Sequence, residues 1–295
     1  MKSLRIGCVK YLNARPLIRG WPDDVEFDHP SALCQRLAKG ELDVALVSSF
    51  EFLRNPIYRI VDDVSISSDG PVYSVVVAHR GKISDIEEIE LDPASQTAVN
   101  LLRCLLAEKV LRPRLIRNID LQSVRPAVLQ PAAGAPVQPI AMFPKARRAC
   151  LLIGDQAIRF RQQYAEEFSF WDLGEQWKKL TRLPFVYALW LIRPEVGDPK
   201  QLADRLRTLC DENLANLNKL IAEVAAGDAL SRRSGKKQAD EPGHPKLDQQ
   251  FLFRYYRENL RFSFGEKEKR GLRTFANLCA KHALLPKRDF ELSLV

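Results

Sequence analysis

The stretch VEFDHPSALCQRLAKGELDVALVSS, residues 25–49, sets the fold class. VEFDH has the composition of a strand. Leu33, Leu37 and Ala38 then repeat at helical spacing, Gly40 offers a left-handed stop, and DVALV (Asp43 to Val47) is an apolar run short enough to be a buried strand. The pattern predicts one β-α-β unit. Because a helical crossover joins strands that run the same way, the unit predicts parallel pairing in an α/β domain.

Working outward, LRIGCV (residues 4–9) predicts a further buried strand, and a short helix over 14–20 starts around Pro16, since proline fits a first helical turn. On the other side, YRIVDDVSIS and PVYSVVVAH are two β-rich runs joined by Asp69-Gly70, a strong turn dipeptide. From about residue 84 a second unit follows: IEEIELD as a strand, PAS as a loop, and QTAVNLLRCLLAEKV as a helix with Val99, Leu102, Leu105 and Leu106 on one face. After a Pro- and Ala-rich stretch, Pro126 to Pro144, read as a loop or insertion, ACLLIGDQAIRFRQQ predicts strand, turn and helix. A helix around Glu175 to Leu180 and an apolar strand, Phe185 to Ile192, complete this half. Leu202, Leu206, Leu209, Leu217, Ile221 and Val224 then hold one helical period, the polar segment 227–246 predicts a flexible surface loop, and two more helices carry Phe251, Tyr255 and Leu260, then Leu272, Phe275 and Cys279.

The expected architecture is α/β and two-lobed, with mixed or parallel sheets, a central cleft and C-terminal helices. Residues 1–83 and 190–295 form lobe I in this reading and 84–189 lobe II. A length of 295 residues suits about two domains, and 46% apolar residues supply a core for each. Clefts at the carboxyl ends of parallel strands are where such proteins bind ligands.

Composition removes several functions. The net charge of +8, from 45 Lys+Arg against 37 Asp+Glu, permits nucleic-acid binding. Its clusters (Lys145, Arg147, Arg148; Arg232, Arg233, Lys236, Lys237) nevertheless fall in loop-like stretches without interleaved aromatics, so a solvated surface is expected and no nucleic-acid partner. The six cysteines form no CxxC pair and predict buried thiols in a reducing compartment; the four histidines form no ligand spacing, and no metal site is expected. Lys10 interrupts the apolar N-terminus, and no later run reaches the ~18 residues of a membrane span, so a cytoplasmic protein without a membrane partner is expected. Oligomeric state is left open.

Three strand-to-helix turns are rich in small polar groups: YLNARP, DPASQT and IGDQAIR. Asn13 is either a helix-start residue or a group facing the cleft. Ser95 or Thr97 can cap the helix that follows, or hold a carboxylate or phosphate at its N-terminus. Gly154 and Asp155 end an apolar strand, and Asp155 is either an N-cap or an orienting carboxylate. Ser74 either satisfies the backbone or faces the cleft. No nucleophile elbow, GxGxxG or GxxxxGK[ST] is present, which argues against nucleotides and covalent catalysis.

Together and in order, YLNARPL, KGELDVALVSSFEFL, SDGPVYSV, LDPASQTAVNLLR, LLIGDQAIR and DLGEQWKKLTRLPFVYALW resemble the chorismate dehydratase family of the futalosine route to menaquinone. The resemblance covers most of residues 4–195 and implies a fold like type II periplasmic binding proteins. It also implies a cofactor-free elimination of water from chorismate, giving 3-[(1-carboxyvinyl)oxy]benzoate. By the resemblance, Asn13 belongs beside the reacting ring as the catalytic residue. Ser74, Ser95, Gln96 and Thr97 belong with the substrate carboxylates, and Gly154 with Asp155 on the opposite wall. The chain departs from the family at Gln96, where arginine is common, at Arg147-Arg148, and in the segments Pro126–Pro144 and Gly227–Pro245. The competing reading is a non-catalytic cytoplasmic binder of a small carboxylate. A transcriptional effector domain is a third, and it lacks its helix-turn-helix.

Overall fold

In a computed structural model, residues 4–92, 94–117, 147–226, 247–289 and 291–295 are described. The Pro126–Pro144 and 227–246 segments lie outside them, as do Lys145 and the Arg232–Lys237 cluster.

The opening β-α-β unit forms as its pattern requires. Strand β1 (Ile6–Val9) pairs in parallel with β2 (Val25–Asp28) on one side and β3 (Val44–Ser48) on the other. Helix α2 (Pro30–Ala38) crosses between β2 and β3, burying Leu33, Cys34 and Leu37, and the chain turns through Gly40 at φ +75°. A Cβ on Gly7 would lie 2.6 Å from Leu42 Cδ1 and 2.9 Å from Leu33 Cδ2, so a side chain at the centre of β1 would force those leucines to shift. Between β1 and β2 lie a turn of 3-10 helix, Leu12–Ala14, and the short α1 (Arg15–Ile18). Helix α3 (Ser49–Arg54) follows β3 without a loop.

Strand β4 (Arg59–Ser68) joins the same sheet through β10 (Phe185–Ile192), which runs antiparallel to both β3 and β4; the order is β2-β1-β3-β10-β4. A second sheet, β7-β6-β8-β5-β9, holds β5 (Val75–His79), β6 (Glu88–Leu91), β7 (Arg114–Arg117), β8 (Arg148–Ile153) and β9 (Ser169–Asp172). Its helices are α4 (Gln96–Glu108), α5 (Gly154–Gln163) and α6 (Leu173–Thr181). Each sheet mixes parallel and antiparallel pairs.

Two expectations shift. Asp69-Gly70 does lie between the two β-rich runs, but the strands it links are not partners: β4 pairs with β10, whereas β5 lies between β8 and β9. The chain therefore leaves the first sheet between Ser68 and Val75, not at about 84, and β10 brings it back by Phe185, not at 190. Both β-rich runs are apolar enough for a central strand, so composition alone could not say which sheet takes β5. The long helical period from Leu202 to Val224 is also broken, into α7 (Pro199–Ala215) and α8 (Leu217–Ala225). The break falls at Asn216, whose backbone N–H at 3.1 Å and side-chain amide at 2.8 Å both donate to the Glu212 carbonyl, closing the end of α7.

The C-terminal part packs on the first sheet. Helix α9 (Gln249–Arg254) runs into one π turn, Tyr255–Asn259, and α10 (Glu266–Lys281) lies against β10 and α4. Asn213 of α7 ties this layer to the start of the chain. Its buried amide donates to the carbonyls of Pro16 at 3.0 Å and Arg19 at 2.8 Å, satisfying the C-terminal end of α1. The six cysteines are buried and unbridged. Arg147 and Arg148 pair with Glu87 and Glu88, so Arg148 opens a strand and is not a loop residue. Among the described residues, no helix is long and apolar enough to cross a membrane and no group of three or more His, Cys, Asp or Glu could hold a metal.

Candidate functional site

The polar turns meet where the two sheets face each other. After β1, the backbone of Leu12 is held from both directions: its N–H donates to Asp155 Oδ1 at 2.9 Å, and its carbonyl accepts from the Tyr256 hydroxyl at 2.8 Å. Asn13 follows inside the 3-10 turn and caps no helix, since neither this turn nor α1 has a side-chain cap. Its Oδ1 is buried and has no hydrogen-bond partner in the protein. An unfilled buried acceptor is costly unless a ligand completes it.

Gly154 and Asp155 form the facing wall. Gly154 sits at φ +59°, donates its N–H to the Ser74 carbonyl at 2.8 Å, and presses on Tyr11, whose ring carbons would lie 3.0 Å from an added Cβ. Any side chain here would be strained and would push on the turn that carries Asn13. Asp155 is not the expected cap. It lies in the first turn of α5, Ile153 precedes the helix without a side-chain bond, and the carboxylate reaches across to Leu12. Burial pushes the Asp155 pKa up, opposed by the Leu12 N–H and by the charges of Arg15 and Arg159. Both arginines have a buried Nε without a partner.

Ser74 is completely buried, accepts from the Tyr255 hydroxyl at 2.8 Å, and stands 3.5 Å from the Val72 carbonyl. Asp172 shapes the loop before it, accepting from the N–H groups of Val72 at 3.0 Å, Tyr73 at 2.8 Å and Glu175 at 3.1 Å. One buried carboxylate thus caps α6 and holds Tyr73 in its left-handed conformation, φ +67°. Burial raises the pKa of Asp172 as well, against those three donors and Arg161.

At the start of α4, Ser95 is the cap: its Oγ accepts from the Ala98 N–H at 3.1 Å. The Gln96 carbonyl accepts from the Asn100 amide at 2.9 Å. Thr97 turns to the other sheet. Its Oγ1 accepts from the Phe50 N–H at 3.1 Å, capping α3, and contacts the hydroxyls of Ser48 and, at 3.4 Å, Ser49. Ser49 in turn donates to the Val186 carbonyl at 2.7 Å.

The predicted residues therefore gather in two groups, Asn13, Ser74, Gly154 and Asp155 in one, and Ser95, Gln96 and Thr97, with Ser48 and Ser49, in the other. Both include direct bonds between the sheets, which is a closed arrangement. Sequence reasoning missed Ser48, Ser49, Arg15, Arg159, Tyr255 and Tyr256. Consecutive serines at the end of a buried strand were a usable signal; Tyr255 looked like an ordinary core residue on an apolar stripe. Cavities of about 400 Å³ beside Leu106 and Val110 and about 520 Å³ beside Arg5 and Asp43 lie apart from the junction.

Two mixed α/β sheets, two crossings between them and polar turns meeting in the middle define a two-lobed fold like that of type II periplasmic binding proteins. Solved structures agree on that fold. Protein AF1704 of Archaeoglobus fulgidus superposes with a TM-score of 0.63 at 15% identity, covering 96% of this chain and 98% of that one. The Candida albicans CA3427 product, described as having the generic periplasmic binding protein fold, gives a TM-score of 0.58 at 10% identity over 98% of this chain and 92% of its own. Residues 4–281 match the family described as menaquinone biosynthesis. A chorismate dehydratase of Thermus thermophilus is 31% identical over 94% of this chain and 95% of its own length. The chain belongs to that menaquinone biosynthesis family.

Proposed function

We propose that this protein is a chorismate dehydratase, a hydro-lyase that converts chorismate to 3-[(1-carboxyvinyl)oxy]benzoate and water without a cofactor. The observation that carries this reading is the 31% identity to a chorismate dehydratase across 94% of the chain.

The chemistry suits the residues. Chorismate is a dianion whose ring is one elimination from aromatic. The hydrogen to be lost sits on the carbon bearing the enolpyruvyl ether, vinylogous to the ring carboxylate, so its removal gives a dienolate with charge spread onto that carboxylate. The dienolate expels the neighbouring hydroxyl. One C–H and one C–O bond break, one O–H bond and the third ring C=C bond form, and no electrons pass to or from another molecule, so the balance calls for no redox cofactor.

In this reading Ser74 and the cations Arg15 and Arg159 hold the carboxylates, most strongly as the ring carboxylate takes up charge, while the start of α4 contributes backbone N–H groups and its Ser95 and Thr97 side chains stay with the protein. The base is the substrate's own enolpyruvyl carboxylate, held in one rotamer against the ring hydrogen. Asp155, engaged by Leu12, serves the wall and not the proton. The free Asn13 Oδ1 has a specific counterpart, because the chorismate dianion offers a single hydrogen-bond donor, the ring hydroxyl. Accepting that proton orients the C–O bond that breaks.

Purified protein incubated with chorismate tests the proposal by mass spectrometry. A product lighter by one water that retains the enolpyruvyl ether is expected. Saturable binding of chorismate without any product would overturn it in favour of a carboxylate-binding protein.

A further inference from the structure

The widened helix before α10 carries a role beyond these residues. One π turn, Tyr255–Asn259, is closed by the Leu260 N–H on the Tyr255 carbonyl at 3.1 Å. π turns are rare and concentrate at functional sites, because the extra residue redirects the side chains around it. Here two consecutive buried tyrosines reach opposite walls of the junction. Tyr255 donates to Ser74 Oγ at 2.8 Å, and Tyr256 donates to the Leu12 carbonyl at 2.8 Å. Filling the core needs only the rings; the hydroxyls have been given partners in the two turns that matter.

A serine hydroxyl has one proton to give and two lone pairs to receive with. Tyr255 fills one lone pair of Ser74, so the Ser74 proton must point elsewhere. Its protein acceptor, the Val72 carbonyl, stands at 3.5 Å, the outer limit of a hydrogen bond. Ser74 is thus a donor with a weak acceptor, ready to exchange it for a carboxylate. On the other wall, Tyr256 and Asp155 occupy both backbone groups of Leu12, which fixes the direction in which the chain enters Asn13.

We propose that Tyr255 and Tyr256 are positioning residues of the site, Tyr255 directing the Ser74 proton at a substrate carboxylate and Tyr256 fixing the turn that presents Asn13. The assignment rests on the chorismate dehydratase reading.

Steady-state kinetics with chorismate and thermal midpoints are measured for wild type, Tyr255→Phe, Ser74→Ala, the double variant and Tyr256→Phe. Tyr255→Phe is expected to raise KM about tenfold, the size of one directed hydrogen bond. The double variant is expected to match Ser74→Ala, because Tyr255 acts only through that serine. Tyr256→Phe is expected to lower kcat with KM near wild type. Wild-type constants in either tyrosine variant, or losses that multiply in the double variant, would overturn the proposal. If Tyr255→Phe does not fold, 3-fluorotyrosine at the same position keeps the ring and makes the phenol a stronger donor: a lowered KM supports the role and an unchanged one contradicts it. Wild-type protein that leaves chorismate intact defeats the dehydratase reading and this assignment with it; turnover that is indifferent to the tyrosines defeats the assignment alone.

Discussion

The start of α4 and the turn after β1 are both short polar segments at the sheet junction, and they spend their groups in opposite ways. At α4 the side chains serve the protein: Ser95 takes the Ala98 N–H and Thr97 takes the Phe50 N–H. In the turn after β1 the backbone serves the protein, with Leu12 bonded to Asp155 and Tyr256, and the Asn13 side-chain oxygen is left over. A polar residue that is already used for capping stabilises the fold; one whose acceptor is buried and unfilled has been kept for something outside the chain. On the proposed reading, this contrast puts stability mainly at α4 and chemistry mainly at Asn13.

Substitutions can break that contrast. The largest expected effect is on turnover in Asn13→Ala, where losing one preorganised group costs about 100-fold or more in kcat. Its thermal midpoint should stay close to wild type, and a loss of stability matching the loss of rate would make Asn13 structural. Thr97→Val keeps the shape but removes the acceptor for Phe50, so chemical denaturation should show a destabilisation of ~1–2 kcal/mol. Ser95→Ala should cost ~1 kcal/mol by the same measurement, with kcat within a few-fold of wild type. A kcat collapse in Ser95→Ala at intact stability would reverse the contrast.

The smallest expected effect sharpens the role of Asp155. Burial raises the pKa of its carboxyl in the folded state, so its contribution to stability is fully present below the ordinary aspartate range and is lost as pH rises through the raised value. Asn at this position keeps an oxygen for the Leu12 N–H and carries no charge. Urea unfolding across pH should therefore show Asp155→Asn gaining on wild type toward neutral pH, and the gain shrinking on acidification. A gain that grows on acidification would contradict the burial account.

The β-α-β unit was legible because its signals are local: Leu33 and Leu37 mark one helix face, Gly40 ends the helix, and the apolar Val44–Val47 run needs no partner to be identified. The crossing between Ser68 and Val75 was not legible, because the partner of a central strand is a long-range fact. The same limit explains Asp155, whose spacing looked like a cap and whose bond reaches 143 positions back along the chain. Ser95 was readable as a cap, since capping is a three-residue event. Tyr255 was read only as part of an apolar stripe, and Tyr256 and Asn213 drew no reading, because all three act on turns distant in sequence.

The measurement that tests the central claim most directly follows chorismate carrying deuterium on the ether-bearing ring carbon and oxygen-18 in the ring hydroxyl. With wild-type protein, both labels should leave the ring and enter water, giving 3-[(1-carboxyvinyl)oxy]benzoate free of both. Retention of both labels in unreacted chorismate, or release of pyruvate with the oxygen-18 kept on the ring, would contradict the account.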